Sequence, residues 1–200
     1  GVTKAALGSS EIANAWLQAG VSGLGDSRIE NISTMRIESI SASMTLIRSP
    51  MLSQADQVVR YADTSCNTEL TIIKALSAAA QKVDRIHGVI LMVEMGDLRE
   101  GIMPGLLEGA VYETLRLPNI VFKGIGTNLA CRSGISPDSD KMAKLSSIAD
   151  RIDAAFGRIV RTVSGGNSAN LDWALSSVDT GRINNLRLGE ALLLGREPLH

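Results

Sequence analysis

Two short polar segments carry the strongest chemical signal in the 200-residue chain. One is Ser164-Gly165-Gly166-Asn167-Ser168, and the other, about twenty residues on, is Asn184-Asn185-Leu186-Arg187-Leu188-Gly189-Glu190. Each follows a short apolar run, as a strand-to-helix loop does. Small side chains let backbone N–H groups approach an anion, and the start of a following helix adds partial positive charge. Two such loops in succession fit a phosphate group. In (β/α)8 barrels the loops after the seventh and eighth strands often carry such a site.

A barrel of that kind needs eight strands alternating with helices, and the apolar patterning supplies candidates for all of them. Strands are predicted at 1–3, 21–24, 44–47, 64–66, 89–94, 120–125, 159–163 and 183–186. Helices are predicted from Ser9 or Ser10 to Gly20, then over 29–35, 53–61, 68–82, 106–115, 138–156 and 169–176. Ser9 or Ser10 with Glu11, and Ser53, are N-cap signals, while Gly20 and Pro118 are stops. The 89–94 run is mostly apolar on both parities, as expected of a strand buried on both faces. The pattern predicts an α/β fold, a parallel (β/α)8 barrel, as one domain over 1–200.

Composition excludes several classes. The chain is 44% hydrophobic and 20% charged, with net charge −1. No basic stripe suggests a nucleic-acid partner or an anionic membrane surface. No apolar stretch approaches the roughly 18 residues that span a bilayer, and 1–4 has no signal-peptide pattern. Cys66 and Cys131 are far apart and fit no metal spacing, so two reduced thiols are expected. His87 and His200 have no ligand-like neighbours, and no metal site is expected. A cytoplasmic protein is the reading that follows.

Polar residues gather where the predicted strands run into helices: Lys4, then Asp26 and Arg28, Arg48, Asn67, Asp97 and Arg99, and Thr127 and Asn128. That is the face on which barrel active sites sit. Turn and cap chemistry accounts equally well for Asp, Asn and Ser at such positions. It accounts less well for Lys4, Arg99 and Arg187, because none is a favoured cap residue.

Six motifs in order make the pattern specific: Gly1-Val2-Thr3-Lys4, Gly25-Asp26-Ser27-Arg28-Ile29-Glu30-Asn31, Gly96-Asp97-Leu98-Arg99-Glu100-Gly101, Gly124-Ile125-Gly126-Thr127-Asn128-Leu129, and the two segments quoted first. Over essentially its whole length the chain resembles the alanine/ornithine racemase family, fold-type III enzymes that use pyridoxal 5'-phosphate (PLP), and it is most similar to the ornithine branch. The resemblance implies a racemase that interconverts L- and D-amino acids by imine formation and proton transfer at Cα. Lys4 matches the lysine that binds the cofactor aldehyde, and Arg99 an arginine near the cofactor's phenolic oxygen and the substrate carboxylate. Asn128 lies where the alanine branch has a histidine stacked on the ring. Asn167 and Ser168 fall in the phosphate loop, where Ser168 matches a serine whose hydroxyl binds the phosphate. Arg187 matches an arginine facing the pyridine nitrogen, and the amides of Gly189 and Glu190 match further phosphate donors. A phosphate-binding tyrosine of the alanine branch has no counterpart in Ala5-Ala6-Leu7-Gly8.

In the family a helix precedes the first strand and a β-rich domain follows the eighth. That domain, from the partner subunit of a homodimer, supplies an opposing catalytic tyrosine. The chain is therefore expected to be the barrel domain, incomplete at both ends and without the β domain. Tyr61 and Tyr112 fall in predicted helices and are expected to pack or face solvent. The alternative is a non-catalytic single-domain PLP carrier of the same fold type.

Overall fold

The computed structural model describes residues 1–130, 135–176 and 179–196. Its regular elements in chain order are α1 (Ser10–Gln18), β1 (Leu24–Asp26), α2 (Ile29–Ile37), β2 (Met44–Leu46), α3 (Ala55–Tyr61), β3 (Thr64–Asn67), α4 (Leu70–Lys82), β4 (His87–Met92), α5 (Leu107–Leu115), β5 (Ile120–Gly126), α6 (Ser139–Phe156), β6 (Thr162–Ser164), α7 (Leu171–Ser176) and α8 (Glu190–Leu194). The caps follow local chemistry. Ser9 Oγ accepts the Ile12 N–H at 3.3 Å at the start of α1, and Asp138 Oδ1 accepts the Lys141 N–H at 2.8 Å at the start of α6.

The six strands form one parallel sheet in the order β1-β2-β3-β4-β5-β6. The side-chain period of two splits each strand between two environments. Val89, Leu91, Phe122, Ile125 and Val163 face the helices and pack with Leu107 and Val111 of α5 and Leu145 and Ile152 of α6. Leu24, Met44 and Leu46 pack with Ile29 and Ile32 of α2, Val58 of α3 and Leu76 of α4. On the other face Cys66, Ile90 and Met92 form a small separate cluster.

The sheet edges curl toward one another through the chain ends. Val2 makes a parallel bridge to Gly25, and Asn185 makes one to Ser164. The Gly25 N–H donates to Gly1 O at 2.8 Å, and the Val2 N–H donates to Leu188 O at 2.7 Å. The segment at Val2 thus joins β1 on one side and the segment after Asn185 on the other.

Six regular strands form where eight are predicted. The first and eighth are reduced to single bridges, and side chains and turns are the reason. Thr3–Ala6 winds into a 3-10 turn directly after Val2. At the other edge Asn184 Oδ1 accepts the Val163 N–H at 2.9 Å, and Ser164 Oγ donates to Asn185 Oδ1 at 2.6 Å. The Asn184 side chain here takes a ladder position that a backbone carbonyl would otherwise fill. The strand predicted over 159–163 starts late for a similar reason. The N–H groups of Ile159 and Val160 both donate to Asp153 Oδ1, at 2.8 and 2.9 Å. The helix predicted over 169–176 begins as a 3-10 turn, Ser168–Asn170, before α7. Cys66 is a buried free thiol; Cys131 and His200 lie outside the described residues.

One buried polar cluster sits on the helix-facing side of β3 and β4. His87 is fully buried, with Nε2 2.8 Å from Ser65 Oγ, and Asn67 Nδ2 donates to that same oxygen at 2.9 Å. Ser65 Oγ and His87 Nε2 share one hydrogen bond, whose donor depends on the imidazole tautomer. Burial lowers its pKa from 6.5 to about 4. The unfolded chain takes up a proton below its ordinary pKa that the folded chain refuses, so stability is full above pH 6.5 and is lost as pH falls toward 4. Urea midpoints measured across that window are expected to decline. In His87→Gln the decline becomes shallower, and identical slopes for the two proteins would refute this role for His87.

Candidate functional site

A cleft of about 600 Å³ lies at the C-terminal ends of the strands. All eight residues singled out in the sequence line it: Lys4, Arg99, Asn128, Asn167, Ser168, Arg187, Gly189 and Glu190. Lys4, Arg99 and Glu190 are exposed there, whereas Ser168 and Gly189 are buried.

Lys4 sits in the 3-10 turn that follows the Val2 bridge. Its neighbour Thr3 is fully buried and donates from Oγ1 to Asp26 Oδ2 at 2.8 Å. The other carboxylate oxygen of Asp26 accepts the Arg28 N–H at 2.9 Å. Asp26 thereby ties the Lys4 turn to the start of α2, and Lys4 projects from an anchored backbone.

The two polar loops lie side by side. The Gly165 N–H donates to Asn185 O at 3.0 Å and the Arg187 N–H to Gly166 O at 2.9 Å. Ser168 Oγ accepts the N–H groups of Gly189 at 3.2 Å and Ala191 at 3.0 Å. Both of its lone-pair directions are thus occupied, and its hydroxyl hydrogen remains to be donated. The Gly189 N–H is committed to Ser168 rather than directed at a ligand. Gly189 itself is required by close approach, because a Cβ there would lie 2.9 Å from Val2 O and 3.1 Å from Val2 Cβ. The second loop therefore packs directly on the segment that carries Lys4.

Arg187 is held by three acceptors. Nη2 donates to Thr127 O at 2.7 Å and to Asn128 Oδ1 at 3.4 Å, and Nη1 donates to Ser164 Oγ. Asn167 Nδ2 donates to the same Asn128 oxygen at 3.0 Å and to Leu129 O at 2.8 Å. Asn128 is thus a junction between Arg187 and the first polar loop, its carboxamide orientation set by the donors around Oδ1. Arg187 and the Cys66 thiol on the inner sheet face are near enough to interact electrically. Burial pushes that thiol up to about 11, against an opposing effect of Arg187.

Arg99 reaches the cleft from the loop after β4. The loop is closed by a bridge between Val93 and Ile102, and Glu94 Oε1 accepts the N–H groups of Gly96 at 2.5 Å and Leu98 at 3.2 Å. Gly101 has φ +143°, and a side chain there would overlap the Glu94 backbone.

Sequence reasoning missed several contributors. Glu94 reads as a strand residue, and Asp26 as a helix cap, yet both set the position of a cleft cation. Arg48 was visible as a polar residue after a strand. Glu100 was visible only as part of a motif, and Leu193 and Leu194 carried no signal; all four line the cleft. Tyr61 and Tyr112 do not line it; Tyr112 is 51% exposed on α5, beneath the Arg116 guanidinium at 5.3 Å. Among the described residues, no group of His, Cys, Asp and Glu is arranged to hold a metal ion, and no helix is long and apolar enough to cross a membrane.

The sequence profile described as "alanine racemase, N-terminal domain" matches residues 1–197. The chain belongs to this family. It is 41% identical over 177 residues to the ornithine racemase of Acetoanaerobium sticklandii, covering 86% of this chain and 48% of that protein. It is 34% identical over 201 residues to the lysine racemase of Thermotoga maritima, covering 98% of this chain and 55% of that protein. The chain thus spans about half the length of these curated relatives. Among solved structures it resembles Clostridium difficile alanine racemase in complex with cycloserine (TM-score 0.81, 18% identity, covering 96% of this chain and 53% of that one). It also resembles PipY of Synechococcus elongatus with PLP bound (TM-score 0.75, 16% identity, covering 92% and 86%). At these identities the likeness is one of fold, the alanine-racemase-like arrangement of parallel strands and alternating helices.

The contact of Gly189 with Val2 can be tested directly. Gly189→Val overpacks that interface and is expected to cost about 1–3 kcal/mol in urea unfolding. The same substitution at exposed Gly109, where an added Cβ meets nothing within 4 Å, lacks that clash and is expected to cost less. A Gly189→Val cost no larger than that of Gly109→Val would contradict the tight packing.

Proposed function

We propose that this chain is the cofactor-binding half of a PLP-dependent amino-acid racemase acting on ornithine or a similar basic amino acid. The observation that carries the reading is a single cleft that gathers Lys4, Arg99, Arg187 and the Ser168–Gly189 pair in a chain of this family. The six strands, with the single-bridge segments at Val2 and Asn185, are read as the eight positions of a (β/α)8 barrel. The mutual bonds of Val2 to Gly25 and Leu188 support that reading.

The donor set suits PLP. Ser168 has a hydroxyl hydrogen to give, and the short approach at Gly189 keeps the neighbouring loop free of bulk. Lys4, Arg48, Arg99 and Arg187 outnumber Glu100 and Glu190, which favours an anionic group. We assign the phosphate to Ser168 and the Glu190 amide, the aldehyde to the Lys4 amine, and the ring edge to Arg187 and Asn128. When bound, the cofactor supplies an aldehyde that captures amines and a conjugated ring that acidifies Cα of a captured amino acid.

Lys4 Nζ would be the covalent anchor of the cofactor and, when free of it, would carry a proton on one face of Cα. Arg187 would hold the pyridine nitrogen of the bound cofactor and would keep its own proton, since a guanidinium has donors only. Its bonds to Thr127 and Asn128 fix the guanidinium in that position. Arg99 orients the substrate carboxylate. No tyrosine lines the cleft among the described residues. We assign the acid–base group on the opposite face to the second half of a partner subunit in a homodimer. The carrier alternative draws on the 86% coverage of PipY, and the 41% identity to an ornithine racemase favours the racemase.

Borohydride reduction of the PLP-treated protein followed by peptide mapping is expected to place the label on Lys4. Lys4→Ala loses it. A label on Lys74 or Lys123 would overturn the assignment. Chiral chromatography of L-ornithine incubated with the protein carrying this chain is expected to show D-ornithine, with a loss of about 10²–10⁴-fold in Lys4→Ala. Cofactor uptake at Lys4 without racemisation would favour the carrier.

A further inference from the structure

We infer that Glu100 is the specificity-determining residue of the cleft, accepting the distal ammonium of a diamino-acid substrate. The inference rests on the racemase reading and names the substrate feature that the site selects. Glu100 lines the cleft beside Arg99 and is half-buried. The other carboxylate of the cleft, Glu190, is exposed at the start of α8, next to the Ser168–Gly189 pair. It belongs to the opposite, phosphate side of the assignment.

Three observations make Glu100 more than a solvated loop carboxylate. First, among the described residues no hydrogen bond or ion pair engages it, although Lys4, Arg48 and Arg187 line the same cleft. The nearby cations are thus not spent on it. Second, it lines the cleft and is partly shielded from solvent, whereas its neighbours Leu98 and Arg99 are exposed. Third, its backbone is fixed on both sides. Glu94 holds the Gly96 and Leu98 amides, and Gly101 is locked against Glu94 with φ +143°. A carboxylate on a fixed loop and facing a cleft is pre-organised for a cation.

The energetics give selectivity as well as affinity. A half-buried carboxylate loses hydration when a ligand fills the cleft. A distal ammonium compensates that loss with a charge-assisted hydrogen bond. A substrate of the same length ending in a methyl group does not, and leaves the carboxylate unpaired. Sites built to bond a polar group discriminate well against analogues that lack it, for this reason. Arg99 and Glu100, consecutive in the chain, then present opposite charges to the two ends of one diamino acid.

The test uses the PLP-loaded protein carrying this chain. Binding of ornithine and of norvaline, which lacks only the distal amine, is followed by the absorbance change of the cofactor on titration. In Glu100→Gln the ornithine-over-norvaline preference is expected to fall about tenfold, the scale of one charge-assisted bond. A preference within twofold of the unmodified protein, including an equal loss for both ligands, would overturn the inference and point to a general role in the reaction. If Glu100→Gln takes up no cofactor, Glu100→Asp supplies the comparison. It keeps the charge and shortens the reach, so a partial loss of preference is expected and an unchanged preference overturns the inference. Failure of the unmodified protein to take up PLP would instead overturn the racemase reading, and this inference with it.

Discussion

The site depends on one backbone junction, the wedging of residues 1–3 between β1 and the segment after Asn185. The backbone bonds of Gly25 to Gly1 and of Val2 to Leu188 hold it, and the Gly1 amine adds one to Gly23 O and Thr3 Oγ1 one to Gly25 O. Through them Lys4, near one end of the chain, is brought to the same cleft as Arg187 and Ser168, near the other. Loop-closure entropy grows only slowly with length, so the long separation is a modest handicap. The central strands β3, β4 and β5 share full ladders, whereas each edge segment has a single bridge. Packing reinforces the junction: Gly189 permits contact with Val2, and Asp26 ties down Thr3.

Around that junction the polar groups fall into two kinds. One kind is consumed internally. Asn128, Asn167, Thr127 and Ser164 bond to Arg187 or to each other, and Gly189 and Ala191 bond to Ser168. These groups fix geometry. The other kind is left facing the cleft: the Lys4 amine, the Ser168 hydroxyl hydrogen and the Glu100 carboxylate. Arg187 belongs to both kinds: Nη1 and Nη2 donate to Ser164, Thr127 and Asn128, and the guanidinium still lines the cleft with donors left over.

The candidate site was unusually legible for a chain with no metal spacing. Lys4, Arg99 and Arg187 stood out because long cations are poor caps at strand ends, and the two Gly/Ser/Asn segments because small residues at such positions invite an anion. Other contributors gave no such signal. Asp26 reads locally as an ordinary cap, and Glu94 as the end of a strand, since their work is done on residues brought near by the fold. Gly189 was legible as part of a phosphate loop, but the close approach that demands glycine is to Val2, at the far end of the sequence. Strand ends differ from the expectation where the Asp153 and Asn184 side chains take the place of ladder partners.

The sequence by itself determined the alternation of parallel strands and helices, because apolar periodicity and cap chemistry are local properties. It also determined which chemical groups collect at the strand ends. The tertiary structure alone decided how many of the predicted strands are regular and which polar groups pair with one another. It also decided which groups remain for a ligand. Those outcomes hang on hydrogen bonds between residues some twenty to sixty positions apart, such as Gly189 with Ser168 and Arg187 with Thr127. Such bonds are set by strand register and loop packing, and no window of sequence contains both partners' surroundings.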